Sequence, residues 1–193
     1  MRILRASDYR RMPWKNGGGE TVEIAISPAG ATLDAFDWRI SMARVASSGP
    51  FSRFPGIDRT LAVLGGAGIR LTVAGRGQIS LGGDTPPFAF SGNDLASAEL
   101  IDGPIDDLNV MTRRASHRHR LTRIPATGPI EVRREGDLLL AMVRGAASIA
   151  RIDGEQHALG LGDTIMVDRE DEPRLEIAPA APAHLYAINL WRL

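Results

Sequence analysis

Lys15 is the single lysine in a chain whose lysines and arginines together number 23. It lies in the run Pro13-Trp14-Lys15-Asn16-Gly17-Gly18-Gly19-Glu20-Thr21. The choice of cation matters chemically. Lysine offers a compact ammonium with three rotatable donors, whereas arginine offers a wide planar fork. In a narrow pocket the smaller head fits against a carboxylate. In a desolvated one it can also shed its proton and act as base or nucleophile, which arginine cannot do. The glycines that follow can present backbone amides to an anion. The competing reading is a plain turn that carries a lysine left by chance in an arginine-biased chain.

The other groups with chemical potential sit on alternating segments. In "ETVEIAIS" Val22, Ile24 and Ile26 fall on one face and Thr21, Glu23 and Ala25 on the other. In "DWRISMARV" Arg39, Ser41 and Ala43 oppose Trp38, Ile40 and Met42. In "DLNVMTRR" Asp107, Asn109, Met111 and Arg113 share a face. Such a polar face lines an internal pocket if the sheet closes into a barrel, and is the wet face of a sandwich if it does not. "GPFSRFPGIDRTL" places Phe51 and Phe54 on a Gly/Pro-rich segment with Ser52, Asp58 and Arg59. Aromatics on such a loop edge a binding site or pack onto the core.

Other chemistries find less support. His117 and His119, at i and i+2, share a strand face, but arginines flank both and would repel a cation. The carboxylate and third histidine of a cupin-type metal signature do not follow, so no metal is expected. There is no cysteine, and no nucleophile elbow, phosphate loop or His-Glu-x-x-His. The triple glycine leads into a strand and not a helix, which rules out a dinucleotide fingerprint. No cofactor is expected. The formal net charge is zero, which argues against nucleic acid or an anionic membrane as partner. The basic cluster "RRASHRHRLTR" reads better as a charged strand edge that discourages edge-to-edge pairing. No signal-like or membrane-length apolar run is present, and a cytoplasmic protein is the expectation.

The elements that must position these groups are short strands. Glycines (21) and prolines (12) are spread along the chain as punctuation, and no segment sustains a helical period. "SDYRR" is the exception, a short helix with Ser7 as N-cap. "DLLLAMVRGAASIARIDG" repeats the pattern of "RTLAVLGGAGIRLTVAG": an apolar strand, a Gly/Ala break, then an alternating strand. Turns at 91–94 ("SGND") and 161–163 ("LGD") follow the two copies. The repeat predicts an all-β fold, a duplicated jelly-roll barrel. The division falls near "LTRIPATGPIEV", with residues 1–124 in one barrel and 125–193 in the other.

"PWKNGGGETVEI", "WRISMARVASSGPFSRFPGIDRTLAVLGG" and "LNVMTRR" together resemble the HutD/Ves family over most of the first 115 residues. Leu108 stands where the family pattern has an aromatic, which removes any stacking role there. The resemblance implies a bicupin without the cupin metal site. It also implies a protein that binds or senses a small carboxylate of histidine degradation, such as urocanate or N-formylglutamate, and not an established enzyme.

The resulting expectation is a carboxylate pocket in the N-terminal barrel. Lys15 and Arg39 pair with the ligand's oxygens, and Asn16, Ser41 and Asn109 orient it. Glu23 accepts a ligand N–H or holds Arg39, while Phe51, Ser52 and Phe54 form the mouth. Asp58 and Arg59, as an ion pair fixing the loop, and Met111 rank lower. Two alternatives remain: an enzyme acting on a small organic acid with Lys15 and Glu23 as acid and base, and a protein-interaction module. A homodimer is compatible with the exposed sheet edges of such folds.

Overall fold

The structure is a computed structural model that describes residues 1–15, 17–145, 147–152 and 154–193. The chain forms two compact units. The first is Arg10–Arg118 with Leu193, and the second is Met1–Tyr9 with His119–Arg192. Each is a pair of antiparallel sheets facing one another across an apolar core.

The opening strand, β1 (Arg2–Leu4), belongs to the second unit. The large sheet of the first unit holds β2 (Arg10–Pro13), β3 (Gly19–Ser27), β4 (Trp38–Val45), β6 (Ile57–Gly65), β9 (Phe88–Ser91) and β11 (Ile105–Arg113), in the order β2-β3-β4-β11-β6-β9. Its small sheet runs β5 (Gly49–Pro50), β10 (Ala96–Leu100), β7 (Ile69–Val73), β8 (Gly77–Leu81). In the second unit the large sheet is β1, β17 (Thr164–Asp168), β14 (Leu138–Gly145), β19 (Ala183–Arg192), β12 (His117–Ala126). The small one is β13 (Ile130–Arg133), β18 (Arg174–Pro179), β15 (Ser148–Ile152), β16 (Glu155–Leu159).

The two orders are the same path walked twice. Adding eight to each label turns β4-β11-β6-β9 into β12-β19-β14-β17, and β5-β10-β7-β8 into β13-β18-β15-β16. The duplication expected from the sequence is therefore carried by every strand from β4 to β19. The turn at 161–163 precedes β17, however, and so corresponds to the stretch before β9, not to the turn at 91–94 that precedes β10. Gly-Asp turns recur too often in β proteins to fix an alignment.

The units divide differently from a cut at residue 124. β1 pairs with β17, Ile3 opposite Ile165, and so draws the first residues into the later unit. The predicted helix over "SDYRR" is a single 3-10 turn, Ala6–Asp8, with no side-chain cap, because the chain must re-enter a strand at Arg10. Among the described residues no helix is long and apolar enough to cross a membrane.

Leu61, Val63, Ile69, Leu71, Val73 and Leu81 form the centre of the first core. Leu139, Ala141, Val143, Ile165, Leu175 and Leu185 do so in the second. The alternation of β4 and β11 is as expected, but that of β3 is not. A bulge between Glu23 and Ala25 shifts the register, so Glu23 pairs with Ser41 and Ile26 with Arg39. Ile26 therefore comes to the same side as Glu23 and packs on Phe36, Ile57 and Met111.

Candidate functional site

Polar residues gather on the inward face of the first unit's large sheet, where three neighbouring strands meet. Arg39 on β4 lies opposite Met111 on β11, and Met111 lies opposite Arg59 on β6. Two arginines thus flank one methionine across two strand spacings, about 10 Å between backbones. Both are buried, Arg39 at 5% and Arg59 at 4% exposure. One row along, Ser41 faces Asn109, and beyond it Ala43 faces Asp107.

Each guanidinium has a different solution to its burial. Arg39 donates from Nε to Glu23 Oε2 at 2.6 Å, and its Nη1 reaches Ser41 Oγ at 3.5 Å. Glu23 also has Arg10 at 3.8 Å. Of the two roles expected for Glu23, this geometry is the one that holds Arg39. Arg59 donates from Nη2 to Asn109 Oδ1 at 2.8 Å and from Nη1 to the Ser52 carbonyl at 3.2 Å. Its guanidinium carbon lies 5.3, 5.5 and 5.0 Å from the ring centres of Phe51, Phe54 and Phe90. Three aromatic faces therefore supply cation–π attraction where water is excluded.

Asn109 passes the contact on, its Nδ2 donating to Asp107 Oδ1 at 2.7 Å. Asp107 is 1% exposed. Burial pushes its carboxyl up to about 7, against the pull of Arg59, the Asn109 hydrogen bond and the Ala43 amide, with Asp106 adding to the rise. Burial likewise draws Arg59 down to about 10, opposed by Asp107 and reinforced by Arg39. Two atoms of this chain of contacts lack a hydrogen-bond partner among the described residues: Arg59 Nε and Asp107 Oδ2.

The second unit supplies an internal comparison. Where β6 and β11 place Arg59, Leu61 and Val63 opposite Met111, Asn109 and Asp107, β14 and β19 place Leu139, Ala141 and Val143 opposite Asn189, Ala187 and Leu185. The positions of Arg59, Asp107 and Asn109 are Leu139, Leu185 and Ala187, all in the apolar core. The frame closes with hydrocarbon at these places, so the fold does not require the charges.

Of the expected site residues, Glu23, Arg39, Ser41, Phe51, Phe54 and Asn109 are brought together, and Ser52 joins through its carbonyl. Met111 and Arg59, ranked lower from sequence, are at the centre. The Asp58–Arg59 ion pair does not form. Adjacent strand residues point to opposite faces, and Asp58 instead pairs outside with Arg114 at 2.6 Å. Lys15 is exposed on the turn between β2 and β3. Because Glu23 is opposite Arg10, Trp14 is four strand residues away, about 13 Å. Lys15 and Glu23 are thus not in reach as an acid–base couple. Asn16 lies outside the described residues. The glycines of that motif have structural reasons: Gly17 has φ +70°, and a Cβ on Gly19 would fall 2.2 Å from the Arg44 carbonyl. Trp14 closes the turn by donating to Thr21 Oγ1 at 2.8 Å. His117 bonds Ser116 beside it. Sequence reasoning did not carry Asp107 and Phe90 into the site, although the alternation that selected Asn109 and Met111 also marks Asp107.

The family model that matches the chain is HutD, over residues 6–185. The chain belongs to the HutD family. It is 38% identical over 174 residues, 89% of each chain, to an uncharacterized 21.2 kDa protein of the hutC 3′ region of Pseudomonas putida. It is 44% identical over 110 residues to protein Ves of Escherichia fergusonii, which spans 55% of this chain and 56% of that one. The solved structure of HutD from Pseudomonas fluorescens superposes with a TM-score of 0.79 at 37% identity, covering 100% of this chain and 98% of that one. The HutD assignment links the chain to histidine utilisation, and the fold is all-β and cupin-like, shared with solved structures at 10% identity.

Proposed function

We propose that the first unit binds a small carboxylate metabolite, an intermediate of histidine degradation such as urocanate or N-formylglutamate, in a sensing or regulatory role. The observation that carries this reading is the contrast between the units: the buried Arg59, Asp107 and Asn109 occupy positions where the duplicated frame uses apolar side chains. Buried charges without structural necessity are costly. Arg39 and Arg59 flanking Met111 suit a carboxylate, because guanidinium donors match its two oxygens. Ser41 and Asn109 orient it, and Phe51 and Phe54 wall the site. The HutD family's link to histidine utilisation supplies the choice of ligand.

A thermal-shift panel of histidine, urocanate, N-formylglutamate, glutamate and unrelated dicarboxylates tests it. A ligand at a hundred times its Kd adds about 2.7 kcal/mol, a rise on the order of 5 °C for a chain of this size. The expected result is a selective rise with one intermediate, abolished in Arg39→Ala and retained in Lys15→Ala. A flat panel overturns it and directs the search to a protein partner.

A further inference from the structure

Resting on the carboxylate reading, we propose that Asp107 determines specificity within it: Asp107 accepts a hydrogen bond from an N–H that the ligand carries beside its carboxylate. The preferred ligands are then N-acyl amino acids or carboxylates of N–H heterocycles, and carboxylates without such a donor are rejected.

The argument starts from the side-chain amide of Asn109. Its oxygen is committed to Arg59 and its nitrogen to Asp107 Oδ1, which fixes both neighbours and the orientation of the amide between them. What remains is one carboxylate oxygen, Oδ2, on a side chain that is almost wholly buried. The Ala43 amide acts on the carboxyl, but no hydrogen bond from the described residues reaches Oδ2. The facing small sheet contributes Leu71, Val73, Ala96 and Ala98, and the neighbouring β4 and β6 contribute Ala43 and Val63 in the same rows. An acceptor left unmade in such a place costs more than a hydrogen bond returns. A site built to pair a donor rejects the analogue lacking it far more strongly than an apolar pocket rejects a methylene. On the same relay Arg59 Nε is an unmatched donor. The complement of a donor and an acceptor held two rows apart on one sheet face, with Asn109 between them, is a carboxylate joined to an N–H group.

Two matched pairs of probes isolate the N–H. N-acetylglycine and levulinate differ by an N–H in place of a CH₂. The alpha-carboxylates of pyrrole and furan differ by an N–H in place of an oxygen. Dissociation constants are measured by calorimetry on the full chain at about pH 8, where a group with a pKa near 7 is ionised. The N–H member of each pair is expected to bind at least tenfold tighter. In Asp107→Asn that preference is lost, because Asn109 Nδ2 still claims the oxygen and turns an NH₂ toward the ligand. If that variant does not fold, the wild-type ratio decides alone. Equal affinities within both pairs overturn the role of Asp107, Oδ2 then being hydrated, and leave the carboxylate reading standing. No binding by either pair overturns both.

Discussion

Arg59 and Asp107 are joined through a third residue: the Asn109 side chain accepts from the arginine at 2.8 Å and donates to the aspartate at 2.7 Å. The strands that carry them are hydrogen-bonded neighbours, so the bridge spans one ladder inside the unit. Removing the bridge strands both charges. Asn109→Ala is expected to cost about 3 kcal/mol, the scale of breaking a buried, hydrogen-bonded charge network. A urea denaturation series measures it, and a loss below about 1 kcal/mol would show that the bridge does not couple the two groups.

Asp107 also sets a pH dependence with a definite sign. Its folded value of about 7 lies above the ordinary 3.8, so the folded state holds the proton more tightly than the unfolded one. This contribution to stability is fully present below about pH 4 and is lost as pH rises through 7. The charged groups acting on it are Arg59 and Asp106. Asp107→Asn stays neutral throughout. The stability of wild type relative to this variant should therefore fall between pH 4 and 7, by on the order of 2–4 kcal/mol. Parallel denaturation curves across that range would contradict it.

Glu23 and Arg39 form a pair that is expensive to break and cheap to remove together. Both side chains are at or below 10% exposure, with the hydrogen bond at 2.6 Å. Glu23→Gln leaves Arg39 buried beside a neutral amide and should cost about 3 kcal/mol. The double replacement Glu23→Leu with Arg39→Met should cost clearly less than the sum of the singles. Additive losses in a double-mutant cycle would mean the pair is not coupled.

The second unit suggests its own substitution into the first. Arg59→Leu, Asp107→Leu and Asn109→Ala together copy Leu139, Leu185 and Ala187. Exchanging buried charges for packed hydrocarbon is often neutral or stabilising by 1–4 kcal/mol, as a general order of magnitude. The expected outcome is an unchanged or higher Tm with loss of all carboxylate binding. A variant that unfolds would mean that the charges hold up the fold.

The two glycines of the tryptophan-lysine turn should respond unequally. A Cβ at Gly19 meets the Arg44 backbone carbonyl at 2.2 Å, and backbone cannot swing aside, whereas at Gly17 nothing lies within 4 Å and only the positive φ resists. Gly17→Ala should cost about 1 kcal/mol and Gly19→Ala about 3 kcal/mol or more, through displacement of β3 from β4. Thermal unfolding of the two variants gives the comparison.

Much of this was legible before the structure, for identifiable reasons. Period-two alternation in "DWRISMARV" and "DLNVMTRR" assigns faces without error, because neither strand carries a bulge on its inward rows from Arg39 to Ala43 or Asp107 to Met111. β3 defeated the same rule at Ile24, where one extra residue reverses the faces and nothing in "ETVEIAIS" announces it. Arg59 was misread because its neighbour Asp58 is closest along the chain, while on a strand the nearest partner is across the ladder. Asp107 was visible as a member of the right face. Its importance was not, because burial of a carboxylate depends on the facing sheet. Lys15 was conspicuous by composition, and composition carries no information about distance.

The pairing of β1 with β17 separates the order of synthesis from the order of completion. A chain made from its amino end produces Arg10–Arg118 as an uninterrupted stretch, and that unit can close before the rest exists. Residues 2–4 emerge before that unit, yet the strand they pair with ends at Asp168. They must wait until that strand has been made. Truncating the chain ahead of Arg10 would bare the β17 edge, a row of unpaired amides and carbonyls able to recruit another strand. In a chain cut into its halves, the later piece would be the sticky one.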